Sequence, residues 1–284
     1  MISIIVLHHD KAEYSRACLE SILLSTARPL EVVNIDNGSR DDTLRVLEEW
    51  SHAAHQAGIE MQLHRFDTNA GAIVGRNTAL QMARGEHIVF LDNDTLVAQR
   101  DWLENLRNFL DADEQRAIVA PKMVFPWPPF QIECCGCGVS ARGRIQYIAR
   151  GDERDSLLQP LLVQCAISAC WMMPRRWSDR IGLLDEIYSP VQYEDLDYCY
   201  RARELGGQVW ALPAVEVFHF EHTTTGKSAD INFKYVTTKN GVTFKRRWAK
   251  NFQTESGPNE EESAWKLLDR YGIQDINWRT VLPR

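Results

Sequence analysis

Two acidic side chains follow directly on an apolar run near the end of the first hundred residues. The run His87–Leu91 is followed by Asp92, Asn93 and Asp94. Carboxylates this close repel one another unless a cation or hydrogen-bond donors compensate their charge. Mg²⁺ and Mn²⁺ bind carboxylate oxygens and leave coordination positions for phosphate oxygens. The tripeptide therefore indicates a divalent metal site or a turn, since Asp and Asn are also turn residues.

A second acidic cluster, Glu194, Asp195 and Asp197, lies at the start of a helical pattern. Acids here suit the positive end of a helix dipole, and Asp197 can pair with Arg201 four residues later. A carboxylate held near a divalent cation and an acceptor hydroxyl would instead act as a general base. The residues leave both interpretations open.

Histidines supply a third kind of group. His219 follows a late strand and could complete a metal shell with an imidazole nitrogen. His222 is the alternative ligand, and a packed or surface histidine is the simpler interpretation of either residue. His8 and Asp10 follow the first strand, where a nucleotide-contacting loop or a metal cluster would lie.

The elements that must position these groups alternate between strands and helices over the first 120 residues. Continuous apolar strands between amphipathic helices predict an α/β fold with a mostly parallel sheet covered on both faces. Ligands bind outside the carboxyl ends of such strands. The predicted strands are Ile2–Leu7, Leu30–Ile35, Glu60–Phe66, His87–Leu91 and Ala117–Ala120, and the predicted helices are Lys11–Leu24, Asp41–Ala54, Ala72–Ala83 and Trp102–Leu110.

The pattern becomes less regular after Pro121. Residues 133–151 have no clear period, whereas Leu161–Met173 is ordered, Asp195–Leu205 is helical and Gln208–Leu212 is a strand. The tail beyond Ala229 is predicted to be helical. We therefore expect a domain at 1–225, divided into a nucleotide-binding half (1–120) and an acceptor-binding half (121–225), and a C-terminal helical extension at 226–284.

Composition restricts partners and compartment. The 284 residues carry a net charge of -7, which argues against nucleic-acid binding. Seven cysteines without a paired zinc pattern, no leader sequence and no spanning apolar run predict a cytoplasmic protein with reduced thiols. The basic run Lys245–Lys250 is either a solvated helix face or a contact with phosphates or anionic lipid, as in peripheral association with the inner face of the membrane.

Taken in order, these motifs resemble the family 2 glycosyltransferases, which are inverting enzymes with the GT-A fold. The resemblance is strongest to the rhamnosyltransferase- and galactofuranosyltransferase-like branch and spans about residues 1–245. Besides the two acidic clusters and His219, it depends on Asn34–Thr43, Asn69–Asn77 and Ile181–Glu186.

The resemblance implies a role for each matching residue. Asp195 is the catalytic base, with Glu194 and Asp197 positioning the acceptor or the base. Asp94 is the direct metal ligand, joined by His219 and Asp92, and the metal is Mn²⁺ or Mg²⁺. The implied nucleotide-binding residues are His8, Asp10, Asp36, Asn37, Asn69, Gly71, Arg76, Asn77, Asp92 and Asn93.

The implied reaction moves a sugar from a UDP-, dTDP- or GDP-sugar to a hydroxyl of a glycan or lipid-linked acceptor by direct displacement. Two alternatives stay open. A nucleotidyltransferase would usually carry a Gly-rich, basic phosphate loop after the first strand, where this chain has His8-His9-Asp10-Lys11. A catalytically silent nucleotide-sugar or glycan-binding module would not need intact Asp94 and Asp195.

Overall fold

A mixed ten-stranded β-sheet forms the centre of the protein in the computed structural model, which describes residues 1–221 and 232–282. A separate two-stranded hairpin, β8–β9, lies beside it. The strands are β1 (Ile2–His8), β2 (Leu30–Asn37), β3 (Ile59–Phe66), β4 (His87–Asp92), β5 (Thr95–Val97), β6 (Arg116–Val124), β7 (Ile132–Cys134), β8 (Cys137–Val139), β9 (Ile145–Tyr147), β10 (Leu161–Val163), β11 (Cys170–Pro174) and β12 (Gln208–His219).

Helices cover this sheet. The described helices are α1 (Ala12–Ile22), α2 (Thr43–Gln56), α3 (Ala72–Met82), α4 (Trp102–Asp111), α5 (Arg175–Ile181), α6 (Glu194–Glu204) and α7 (Phe233–Phe252), with 3-10 turns at Glu186–Tyr188, Ile273–Asp275 and Trp278–Thr280. The crossovers through α1 and α2 run in one direction along the sheet, and the crossover through α3 runs back. Right-handed crossovers therefore place α3 on the opposite face.

The strand order is β10-β12-β6-β11-β4-β1-β2-β3. The neighbours β3, β2, β1 and β4 are parallel, as are β6 and β12, and antiparallel β11 joins the two groups. Every residue of β2 is buried, including the polar residues Glu31, Asn34 and Asp36, as expected for a strand covered on both faces. The predicted α/β class with a largely parallel sheet is confirmed.

Strands β6 and β12 each continue past a proline, Pro121 and Pro213, at which the predicted strand ends. We expected strands to end at Ala120 and Leu212, because proline lacks the N–H that a central strand donates. Instead β6 continues to Val124 and β12 to His219. A bulge in β12 after Leu212 absorbs its proline: Leu212 pairs with Pro121, and Glu216 pairs with the next residue of β6. The extension carries His219 to the carboxyl edge of the sheet.

The second half of the chain is held together by long-range contacts. The segment 133–151, predicted to be irregular, contains short strands, and neither β5 nor α5 was predicted. The tail packs on a second apolar cluster with α1 and the ends of β6 and β12, where the Tyr14 hydroxyl accepts a hydrogen bond from the Ile273 N–H at 3.0 Å. The expected boundary at 225/226 lies outside the described residues.

The longest described helix, α7, has 20 residues and one buried face. Val236, Asn240, Phe244, Trp248 and Phe252 form that face at helical spacing. Phe244 stacks near Tyr193 and Tyr200, which fixes α7 against α6. Among the helices of the described ranges, none combines the length and apolar character needed to cross a bilayer.

Candidate active site

A cavity of about 580 Å³ lies where the carboxyl ends of β1, β4 and β12 meet α6 and α7. Its floor is acidic, and its far wall comes from the β8–β9 hairpin, α7 and the C-terminal tail. The chemically active side chains that line it are His9, Arg76, Asp92, Asn93, Asp94, Glu133, Arg144, Tyr193, Glu194, Asp195, His219, Lys245 and Trp265.

Strand register brings two acids and an imidazole together on this floor. Asp92 ends β4, and β5 turns back to pair with β12, so that Thr95 lies opposite His219. His219 Nε2 is 3.3 Å from Asp94 Oδ1. One ligand atom from each of Asp92, Asp94 and His219 lies within 4.8 Å of the others, and within residues 1–221 and 232–282 this is the one such group of His, Cys, Asp or Glu.

Glu133 holds the imidazole from behind. Its buried carboxylate is 2.8 Å from His219 Nδ1, which leaves Nε2 directed at Asp94. Burial lowers the pKa of His219, but the charges of Glu133 and Asp94 outweigh it and raise that pKa well above its usual value. A carboxylate that hydrogen-bonds the second nitrogen of a histidine is typical of metal sites. Two carboxylates and an imidazole therefore fit a divalent cation.

Sequence reasoning missed Glu133 because it belongs to no motif. It lies in a short strand between Ile132 and Cys134, both buried, within a segment predicted to be irregular. The signal available in the sequence was a single acid inside an apolar run. A charge in such a run is rarely fully buried unless it is paired.

Arg76 connects the two acidic clusters. This residue of α3 is 7% exposed; its Nη2 contacts Asp92 Oδ1 at 2.5 Å and its Nη1 contacts Glu194 Oε1 at 2.9 Å. Burial and the neighbouring Asp195 raise the pKa of Glu194 to about 7, although Arg76 opposes this. One guanidinium thus balances an acid from β4 and an acid from α6.

Asp195 faces the cavity from the first turn of α6. Its Oδ1 accepts a hydrogen bond from the Leu196 N–H at 2.8 Å, and its Oδ2 accepts one from the Ser168 N–H at 3.3 Å. Burial raises the pKa of Asp195. A carboxylate held by two backbone donors, with a raised pKa, is suited to accept a proton.

Asp197 lies outside the cavity lining. It is fully buried and binds Trp248 Nε1 at 2.9 Å, Arg201 Nε at 2.9 Å and the Tyr188 hydroxyl at 3.2 Å. The pair with Arg201 is the i, i+4 salt bridge that the sequence offered as an alternative. The contact with Trp248 fixes α6 against α7, and so fixes the helix turn that carries Asp195.

Several residues of the expected nucleotide set are enclosed by the fold, Asp36 and Asn37 as well as His8 and Asn77. His8 is fully buried, with Nδ1 2.9 Å from Ser15 Oγ and Nε2 2.9 Å from Asn34 Oδ1. Burial lowers its pKa to about 4. Asn77 exchanges two hydrogen bonds with the backbone of Leu184, at 2.9 and 3.0 Å. The lining of the cavity includes neither His8 nor Asn77.

Asp36 and Asn37 end β2, and Asn69 and Gly71 lie in the loop after β3. Asp36 Oδ1 accepts from the Ser39 N–H, and the Asn37 amide donates to Asn69 Oδ1 at 2.9 Å. Gly71 has a φ of 89°, in the region that favours glycine. A second cavity, of about 620 Å³, lies against residues 38–48 and 65–68.

Asp10 and Asn93 complete the expected set. Asp10 Oδ1 accepts from the Arg40 N–H at 2.7 Å, and Asn93 lines the first cavity while donating to Ser15 Oγ at 3.0 Å. His9, absent from that set, also lines the first cavity. His222, the alternative metal ligand, lies outside the described residues.

The chain matches one known family and several relatives. The family model "Glycosyl transferase family 2" matches residues 3–182. An uncharacterized protein, y4gI of Sinorhizobium fredii, is 28% identical over 87% of this chain and 27% of its own length. Glycosyltransferase GlyA of Streptococcus pneumoniae is 32% identical over 37% of this chain and 14% of its own length. The chain thus spans less than a third of either relative.

Two solved structures share the fold. GalNAc-T7 with UDP, GalNAc and Mn²⁺ superposes with a TM-score of 0.71 at 17% identity, over 89% of this chain and 49% of that one. The mannosyltransferase PcManGT of Pyrobaculum calidifontis, with GDP-Man and Mn²⁺, gives a TM-score of 0.60 at 20% identity, over 90% of this chain and 65% of that one. The predicted GT-A fold is confirmed.

Proposed function

Since the chain belongs to glycosyl transferase family 2, we propose that it transfers a sugar from a nucleotide-diphospho-sugar to an acceptor hydroxyl, with inversion at the anomeric carbon. One observation carries the proposal: the cluster Asp92, Asp94 and His219 and the carboxylate of Asp195 line the same cavity. A transferase of this kind needs both a site for the diphosphate and a base for the acceptor.

The donor diphosphate occupies the acidic floor. A divalent cation, Mn²⁺ or Mg²⁺, held by Asp94, His219 and Asp92 would offset the charge of the leaving diphosphate. The chain's own contribution is orientation: Glu133 fixes the imidazole of His219, and Arg76 fixes Asp92. Mn²⁺ in both solved relatives supports this assignment.

The nucleoside lies against the loops that follow β1, β2 and β3. Asp36, Asn37 and Asn69 hold these loops together, and Asn93 and His9 complete the wall toward the floor. The base is uracil, thymine or guanine. Within the family we assign the chain to the rhamnosyltransferase- and galactofuranosyltransferase-like branch, which its motifs resemble.

Asp195 acts as the general base. The acceptor oxygen bonds to the anomeric carbon while the bond to the diphosphate oxygen breaks on the opposite face, and the hydroxyl proton passes to Asp195. This single displacement inverts the configuration. Glu194, fixed by Arg76, and Asp197, fixed by Trp248, position the helix turn that carries the base. The acceptor is a glycan or lipid-linked saccharide that enters past Tyr193 and Trp265.

Calorimetric titration with UDP, dTDP and GDP, each with Mn²⁺ and with EDTA, tests this function. We expect micromolar binding by one nucleotide, lost with EDTA and in Asp94→Ala. Asp113→Ala, an acid beyond α4 outside the cavity, is the matched control and keeps wild-type binding. Circular dichroism shows whether each variant is folded. Absence of binding by every nucleotide with every metal would overturn the donor site and favour a silent module.

A further inference from the structure

Helix α7 carries a charge opposite to that of the protein. It contains six cations and no Asp or Glu, whereas the whole chain has a net charge of -7. A positively charged helix in a protein of net negative charge produces a local electrostatic field that attracts anions. The six cations are Lys234, Lys239, Lys245, Arg246, Arg247 and Lys250.

The cations alternate with exposed apolar side chains on one stripe of the helix. Tyr235, Lys239, Val242, Arg246 and Lys250 follow one another at intervals of four, three, four and four residues, and therefore share a face. Tyr235 is 66% exposed and Val242 is 45% exposed. We call these five residues the outer face of α7, opposite the face buried in the core.

Most of this charge is not used inside the protein. Arg247 pairs with Asp185 at 2.7 Å, but Arg246 and Lys250 make no ion pair with any residue of 1–221 or 232–282. Lys239 Nζ lies 3.4 Å from the carbonyl oxygens of Ile187 and Ser189. Ile187, beside it, is 53% exposed and extends the apolar part of the surface.

We propose that the outer face of α7 docks the protein on a bilayer that contains anionic lipids. The headgroup phosphates would contact Arg246, Lys250 and Lys239, with Tyr235 at the level of the headgroups, where aromatic rings are favoured. The apolar face of α7 is already packed in the core, so the helix lies on the surface and does not insert. Such docking is electrostatic, and salt weakens it.

The docked orientation also selects an acceptor, and this step rests on the proposed function. Phe233, Thr237 and Lys245 of α7 line the cavity that contains Asp195. Of these, Lys245 is exposed and precedes Arg246 of the outer face, so this edge of the outer face borders the cavity. The acceptor that fits this arrangement is a saccharide joined to a membrane lipid, since its sugar would be presented at the height of the cavity.

Sedimentation with lipid vesicles tests the docking surface. The 284-residue chain is mixed, without nucleotide or metal, with phosphatidylcholine vesicles or with vesicles that also contain phosphatidylglycerol, at low and high ionic strength. We expect binding to the anionic vesicles at low ionic strength. Each cation is worth roughly a fivefold change in partition. Arg246→Glu/Lys250→Glu therefore lowers partition by at least about 25-fold, and Tyr235→Ser/Val242→Ser lowers it by less.

The matched control is Arg100→Glu/Arg176→Glu, which changes the net charge equally. Both arginines are exposed at the amino edge of the sheet: the Arg100 carbonyl accepts from the Thr26 N–H ahead of β2, and Arg176 is in the first turn of α5. The control keeps wild-type partition. Circular dichroism confirms that both double variants are folded.

Three outcomes would overturn the docking surface: equal sedimentation with neutral and anionic vesicles, equal loss in the control, or equally tight binding of a DNA oligonucleotide. The last would show attraction to any polyanion. Because vesicle binding is measured without nucleotide or metal, its failure leaves the calorimetric test of the donor site intact. Failure of that titration would likewise leave the vesicle result standing.

Discussion

Two buried residues of the first half, His8 and Asn77, use their polar atoms differently from the buried acids of the cavity in the second half. In the first half, His8 and Asn77 place both of their polar atoms in hydrogen bonds within the fold. In the second half, Glu133 and Glu194 each keep one buried carboxylate oxygen without a partner among the described residues, and Asp195 is bound by backbone N–H groups. The carboxylate oxygens that can still bind a ligand therefore lie at the contact between the halves. Some polar residues that follow or end strands, such as His8, belong to the scaffold instead.

The contrast between scaffold residues and cavity acids would not hold if Asp195 were dispensable for catalysis. We expect Asp195→Asn to lower kcat about a thousandfold, because the amide accepts no proton, while the affinity for the donor nucleotide changes little. Single-turnover kinetics measures the chemical step. The matched variant Asp179→Asn, on α5 outside the cavity, shows wild-type rates. A rate for Asp195→Asn within tenfold of wild type would assign the base elsewhere.

Stability should depend on pH through His8. Its folded pKa of about 4 lies below the value near 6.5 of an unfolded histidine. The unfolded chain therefore takes up a proton first, and the free energy of unfolding falls by about 3 kcal/mol as the pH drops from about 6.5 to 4. This stability is fully present above pH 6.5.

Urea denaturation across this pH range measures the effect. In His8→Gln the slope of the free energy of unfolding against pH becomes shallower, although carboxylates still contribute to it. His52→Gln, at an exposed position of α2, is the matched variant. An unchanged slope in His8→Gln would mean that His8 is protonated in the folded protein and is no part of a closed scaffold.

A smaller effect is expected at Glu133. Glu133→Gln keeps the shape of the side chain but removes the charge that orients His219, and losses of this kind lower metal affinity about 10- to 100-fold. Mn²⁺ titration followed by electron paramagnetic resonance measures the affinity. Glu260→Gln, in the tail near Ser140, is the matched control. Equal Mn²⁺ affinity in the two variants would contradict the role of Glu133.

The smallest effect concerns the contact between the tail and α1. Tyr14→Phe removes the acceptor of the Ile273 N–H and should lower stability by about 1 kcal/mol. Hydrogen exchange measured by mass spectrometry should show faster exchange at residues 268–282, with strands β1–β4 unaffected. Tyr235→Phe, at an exposed position of α7, is the control. Uniform faster exchange would mean that the tail and the sheet open together.

The first half of the fold could be predicted because its signals are local. Strands β1 and β4 are mostly apolar runs, and each helix predicted in the first 120 residues lies within two residues of the observed ends. The short strands β5, β7, β8 and β9 could not be predicted, because three residues are too few to show a hydrophobic period, and β5 pairs with the distant β12. The bulge that allows β12 to continue past Pro213 has no local sequence pattern from which it could be predicted.

The same distinction applies to the site. Asp92, Asp94 and His219 were predicted from motif order, and the structure brings their side chains together. Their contact with Glu133, and the contact of Arg76 with Glu194, depend on partners 86 and 118 residues away. Spacing within one motif carries no information about such distances. The enclosure of His8 also follows from Ser15 and Asn34, which no motif connects to it.

The pairing of His219 with Thr95 limits how the length of this chain can change in evolution. One residue inserted or deleted between Glu216 and His219 would turn each later side chain to the opposite face of the strand. The imidazole would then leave Asp94, and Glu133 would lose its partner. Residues 155–160 are mostly exposed and belong to no strand. We expect gaps among related chains to accumulate in that segment, whereas the number of residues between Glu216 and His219 stays constant.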